Sequence, residues 1–249
     1  MKKLYQKSEL GFALLWIGIY CVLMSVGDSL SQSAGTEKAV TLPVSLLLSA
    51  ALLLFIKKNG LNLKYGLCRA QTPVSKLLFY MPLLMLLTVN LWHGVALNFS
   101  AAETVLYILT MLFVGFLEEI IFRGLLFNAM KKDNLKSAVI VSALTFGMGH
   151  IINLFNGSGA ELLPNLLQII YACATGFMLV MLYLKTKSLI VPVAFHGVFN
   201  ALSAFADESG ITDKDRIISC IFITAVSLAY GLYLMKMKEG EANEDKARK

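Results

Sequence analysis

The chain has 249 residues, of which 57% are hydrophobic and only 15% charged. A soluble domain carries roughly 25% charged residues. With a mean hydropathy of +0.69, this composition excludes a disordered chain, a collagen-like fibre and a disulfide-stapled miniprotein, and it points to a lipid bilayer as partner.

The net charge of +6 fits the lysine bias of membrane loops, so no nucleic-acid partner is expected. A helix crossing a bilayer takes about 20 mostly apolar residues. Eight stretches qualify, over 11–28, 39–56, 74–97, 104–130, 137–155, 162–184, 189–206 and 217–235. The expected fold class is therefore all-α, a polytopic membrane bundle of about eight transmembrane helices. It forms a single integral domain over 1–249, with a connecting loop over 60–71, a charged tail over 239–249 and no internal repeat. The opening Met1-Lys2-Lys3 followed by an apolar run has the outline of a signal peptide, but the run is long for one. Placing the N-terminus inside puts eighteen of the 22 Lys and Arg on the inner face and only Lys38, Lys214 and Arg216 outside. This bias predicts that both termini are cytoplasmic. A multi-pass protein of the bacterial cell membrane is the expected localisation. Cys21, Cys68, Cys173 and Cys220 show no C-x-x-C spacing and read as ordinary thiols.

An ionisable side chain deep in a span costs roughly 2.5–3.5 kcal/mol and so marks function. The fourth span carries Glu118, Glu119 and Arg123. Glu119 and Arg123 are four apart, acid first, which favours a pair on one helical face. In an α-helix Glu118 is turned about 100° away and is left to face a cavity. His150 closes the run from Phe146 in the fifth span, and His196 and Asn200 lie four apart in the seventh. At about 1.5 Å per residue, Glu118, His150 and Asn200 lie roughly 20 Å from the inner lysines and His196 roughly 14 Å. Matched depth predicts one buried site. His93, beside Trp92 at a span end, reads as an interfacial anchor. Pro192 predicts a bend in the seventh span, and Gly115, Gly124, Gly147, Gly149 and Gly197 predict close helix packing.

A carboxylate beside an imidazole can move a proton from water, and His196 and Asn200 can donate to an oxyanion. Glu118, His150 and His196 could equally hold a divalent metal such as zinc, with one position open for water. The residue types leave both open. Other intramembrane hydrolases are excluded by missing motifs: there is no H-E-x-x-H, no G-x-G-D and no G-x-S-G. Asn156-Gly157-Ser158-Gly159 is a loose match in an outer loop and reads as a turn.

E-E-x-x-x-R, F-x-x-x-H and H-x-x-x-N, in this order over consecutive spans, resemble the CAAX protease and bacteriocin-processing family (CPBP, or Abi), which includes the type II CAAX prenyl endopeptidases. The resemblance covers about 104–206. It implies an intramembrane endopeptidase, called a metalloprotease or a glutamate protease, with Glu118 as general base and His150 as its water-activating partner. His196 and Asn200 would stabilise the oxyanion, and Glu119 and Arg123 would support the first motif. Expected substrates are peptides or membrane-protein segments, among them prenylated C-termini and pheromone or bacteriocin precursors. The alternatives are a non-enzymatic bacteriocin-immunity or scaffolding protein and a proton-coupled transporter.

Overall fold

The structure is a computed structural model that describes residues 1–72, 77–156 and 159–237. The expected tail, the start of the expected third span and Gly157-Ser158 lie outside the described residues. The elements are α1 (Lys2–Lys7), α2 (Glu9–Ser33), α3 (Thr41–Lys58), α4 (Leu77–Leu87), α5 (Ala101–Glu118), α6 (Asn128–Met130), α7 (Leu135–Gly149), α8 (Leu162–Thr186), α9 (Ile190–Leu202) and α10 (Asp213–Lys236). A nine-residue π-helix, Glu119–Phe127, joins α5 to α6. Among the described residues the only strand-like pairing is a bridge between Val95 and Ala206. The protein is an all-α polytopic bundle.

Six segments are long and apolar enough to cross a membrane: Glu9–Ser33, Thr41–Lys58, Ala101–Met130, Leu135–Leu154, Leu162–Thr186 and Asp213–Lys236. Their outward faces are apolar; Leu14, Leu15, Val22, Leu23, Val26 and Leu30 of α2 are all exposed. A lipid-facing helix needs no polar cover, because its backbone is satisfied internally.

Two of the eight expected spans are shorter. Of the third, expected over 74–97, the described helical part is Leu77–Leu87 followed by the 3-10 turn Val89–Leu91, and the seventh is Ile190–Phe205. A 13-residue helix such as α9 is about 20 Å long, against a hydrocarbon core of about 30 Å. The reason lies in the residues just beyond each helix. Ala96 N–H donates to Phe205 O at 3.0 Å, and the Asn98 amide donates to Ala204 O and Ala206 O at 3.2 and 2.9 Å. The two segment ends satisfy one another's backbone, so neither continues as a helix. Pro192 does not bend a span either. It is the third residue of α9, where its missing N–H would have no intrahelical partner in any case.

The helix ends sort into two faces. On one, Lys64 and Lys132 both meet Glu9, each at 2.7 Å, and Leu189 N–H bonds Gly66 O at 2.8 Å. On the other, Lys38 meets Asp28 at 2.9 Å and Glu37 N–H bonds Glu103 at 3.1 Å. Burial pulls the Lys38 ammonium down, but the Asp28 carboxylate outweighs it and holds Lys38 above its ordinary value. Close packing inside the bundle is most acute where α5 crosses α9. A Cβ on Gly115 would stand 2.5 Å from Gly197 N and 2.7 Å from its Cα, so only glycine admits this approach.

Candidate active site

The site begins with the change from α to π winding at Glu119. Each π turn bonds i to i+5 and so widens the helix, a local form found mostly at functional sites. Carbonyls of this segment gain side-chain donors. Ser142 Oγ donates to Phe122 O at 2.9 Å, and the Asn128 amide donates to Arg123 O and Gly124 O at 2.9 and 2.8 Å. All nine residues of the segment are buried. This corrects the expectation of an unbroken α-helix through the fourth span.

Glu119 and Arg123 remain paired across the wider turn, at 3.0 Å, both with side chains 0% exposed. The second guanidinium nitrogen donates to Gly176 O at 3.2 Å. The guanidinium carbon lies over the Phe146 ring, 4.1 Å from its centre, a cation–π contact strengthened by the dry surroundings. Phe146 also packs at right angles to both histidine rings, with centroids 5.7 Å from His150 and 5.4 Å from His196. The first residue of the F-x-x-x-H run thus packs the cluster together.

His196 stands between the two carboxylates. Its Nδ1 is 2.9 Å from Glu119 Oε1. A carboxylate in an Arg ion pair only accepts, so Nδ1 donates. This orientation aims Nε2 at Glu118 Oε2, 3.4 Å away. The other oxygen of Glu118 accepts the Tyr20 hydroxyl at 2.6 Å. Glu118 Oε2 is buried and makes no hydrogen bond.

Glu118 lines a cavity of about 350 Å³ together with His150, Asn200, Asn90, Tyr107 and Tyr20. Glu118, Glu119, Arg123 and His196 therefore form one chain of contacts. His150 and Asn200 meet that chain across the cavity. His150 sits at the first position of a 3-10 turn, His150–Leu154, and the Asn165 amide fixes its backbone carbonyl at 2.9 Å. Sequence reading missed Tyr20, 98 positions from its partner; a tyrosine in an apolar span carries no signal of that contact. His93 is exposed and lines a separate cavity of about 290 Å³. Neighbouring Trp92 donates to Thr88 Oγ1 at 3.0 Å.

Among the described residues no group of three or more His, Cys, Asp and Glu is placed to hold an ion. One oxygen of Glu118 is taken by Tyr20 and one nitrogen of His196 by Glu119.

These features define a multi-pass, all-helical membrane protein with a dry Glu-Arg-His cluster against a polar cavity. Residues 100–202 match the family model described as type II CAAX prenyl endopeptidase Rce1-like. The match supports the CAAX protease/CPBP family for this segment, and that family implies an intramembrane endopeptidase acting on peptide or protein substrates in the membrane. No curated protein and no solved structure matches the chain.

Proposed function

We propose that the chain is an intramembrane endopeptidase in which Glu118 is the general base for a water held in the cavity. The observation that carries this reading is the Glu118 carboxylate itself. Its Oε2 is buried without a hydrogen bond, on a cavity wall shared with His150 and Asn200. An unsatisfied buried carboxylate oxygen costs stability and is suited to take a proton from water.

The water oxygen adds to the scissile carbonyl carbon while Glu118 Oε2 takes one of its protons. The carbonyl oxygen becomes an oxyanion, for which the Asn200 amide and the His150 ring are the cavity-facing donors. The C–N bond then breaks, and the proton on Glu118 passes to the leaving amine. His196 Nε2 stands 3.4 Å from Glu118 Oε2, within reach of the water that this oxygen would activate. Glu119 holds His196 through Nδ1, and Arg123 neutralises Glu119. Tyr20 fixes the other oxygen of Glu118, so that only Oε2 turns to the water.

The substrate is a peptide or a membrane-protein segment; prenylated C-termini and pheromone or bacteriocin precursors are the chemical classes to try first. The direct test compares the peptidomes of cells carrying wild-type and Glu118→Gln protein. Fragments present only with wild type are expected. Purified Glu118→Gln protein cleaving such a fragment's precursor at the wild-type rate would refute the general-base role. A cellular phenotype that survived Glu118→Gln, His150→Ala and His196→Ala alike would favour a non-enzymatic role.

A further inference from the structure

The cavity is strongly one-sided. From Glu118 and His150 its lining runs to Ser25, Asp28, Lys38, Thr41, Asn156 and Ser203. These residues belong to the end of α2, the start of α3, the turn after α7 and the end of α9. All four ends lie on the face that carries the Lys38–Asp28 pair. No lining residue comes from 57–72, 128–136 or 183–190, the segments that form the opposite, lysine-rich face. The floor beneath Glu118 is the buried π segment. At the far end, the Lys38 and Asp28 side chains keep 16% and 21% of their exposure, so this end reaches solvent.

The second cavity repeats the pattern. It shares Asn90, Gln168, Tyr171 and Phe199 with the first and ends on His93, Glu208 and Arg216, beyond the same helix ends. Two adjoining cavities therefore end on one face, and among the described residues neither reaches the lysine-rich face.

The basic residues say which face this is. Lys57, Lys58, Lys64, Lys131, Lys132, Lys136, Lys185 and Lys187 lie at the closed end, against Lys38, Lys214 and Arg216 at the open end. Lysine-rich ends stay in the cytoplasm. From this asymmetry we infer that Glu118 is reached from the extracytoplasmic face, through the opening between the end of α2 and the turn after α7. Resting on the proteolytic reading of the site, the substrate class is a peptide or membrane-protein segment presented from outside the cell, and its soluble product is released there.

Cys21 lines the cavity one residue from Tyr20, which makes a built-in probe. The full-length chain would keep Cys21 as its one cysteine, with the other three changed to serine. Lys131→Cys and Thr36→Cys, each in a cysteine-free chain, mark the closed and open faces. Right-side-out and inside-out vesicles are then treated with a small, charged, membrane-impermeant methanethiosulfonate. Cys21 is expected to react in the vesicles in which Thr36→Cys reacts and to be at least tenfold slower in those in which Lys131→Cys reacts. Thr36→Cys is expected to react in the right-side-out set. Because Cys21 is half-buried, Ser25→Cys, nearer the opening, serves as a second reporter. Reaction of either reporter only from the Lys131→Cys face would overturn the inference. So would silence of both from either face, or reaction of Thr36→Cys only in inside-out vesicles. The labelling needs no activity, so a failed proteolysis test leaves it decisive. If both hold, the fragments lost with Glu118→Gln will be found in the medium.

Discussion

The closed and open halves of the bundle handle polar groups in opposite ways. In the closed half, polar side chains are sealed against one another: Glu119 with Arg123, although Glu119 Oε2 and Arg123 Nε make no hydrogen bond, and Asn128 with two π-segment carbonyls and the Tyr183 hydroxyl at 3.0 Å. In the open half, polar groups line space, and Glu118 Oε2 is left without a hydrogen bond. Two adjacent glutamates therefore differ in kind. Glu119 holds His196 through Nδ1, whereas Glu118 faces the cavity. Neither burial nor an unsatisfied oxygen separates the two, since Glu119 Oε2 is also buried without a hydrogen bond; the cavity beside Glu118 does.

Substitutions on either side of this boundary should separate activity from stability. Glu118→Gln is expected to lower the cleavage rate by about 10²–10⁴, the usual worth of a general base, while the thermal unfolding midpoint in detergent stays near wild type. Arg123→Leu should do the reverse to the fold. It strands a buried carboxylate and is expected to cost about 3–5 kcal/mol, read as loss of monodisperse protein on size-exclusion chromatography. Restoration by Glu119→Gln in the same chain would tie that loss to the charge. Asn128→Ala unties two hydrogen bonds to the π segment and one to Tyr183 and is expected to cost about 1–3 kcal/mol. The same unfolding assay checks it, and an unchanged midpoint would deny the amide its part in holding the wide turn.

The smallest effect belongs to the pair at the opening. The folded Lys38 value is raised above 10.5 by Asp28. Its stabilisation is therefore fully present below pH 10.5 and fades as pH rises through the folded value. Lys38→Met should remove at most about 1 kcal/mol at neutral pH, as surface pairs do, with the difference from wild type vanishing in strong alkali. For the catalytic side, elemental analysis of active protein is expected to find no stoichiometric zinc. A full equivalent of zinc per chain would demand a different role for Glu118 and His196.

Much of the site was legible because it is written in local spacing. Glu119 and Arg123 are one turn apart on any helical winding near 3.6, and their pairing survives the wider π turn. Phe146 and His150, and His196 and Asn200, share the same spacing and come from segments whose apolar length announced a membrane. The third and seventh helices came out shorter than the apolar stretches because hydropathy counts apolar residues, whereas helix ends depend on partners: Ala96 and Asn98 bond the chain after α9 rather than their own helix. The π winding was hidden for a related reason, since the donors attached to it come from Ser142 and Asn128 side chains.

Composition, hydropathy and one-turn spacing by themselves determined a helical membrane protein with a buried acid–base pair, because these properties follow from residues within a few positions of each other. Only the tertiary structure decided which glutamate faces the cavity, that Tyr20 holds it across 98 positions, and that His196 bridges both acids across 77. It also decided which face the cavity opens on. Those outcomes depend on how distant helices cross, at contacts such as Gly115 against Gly197, and no local pattern encodes a crossing.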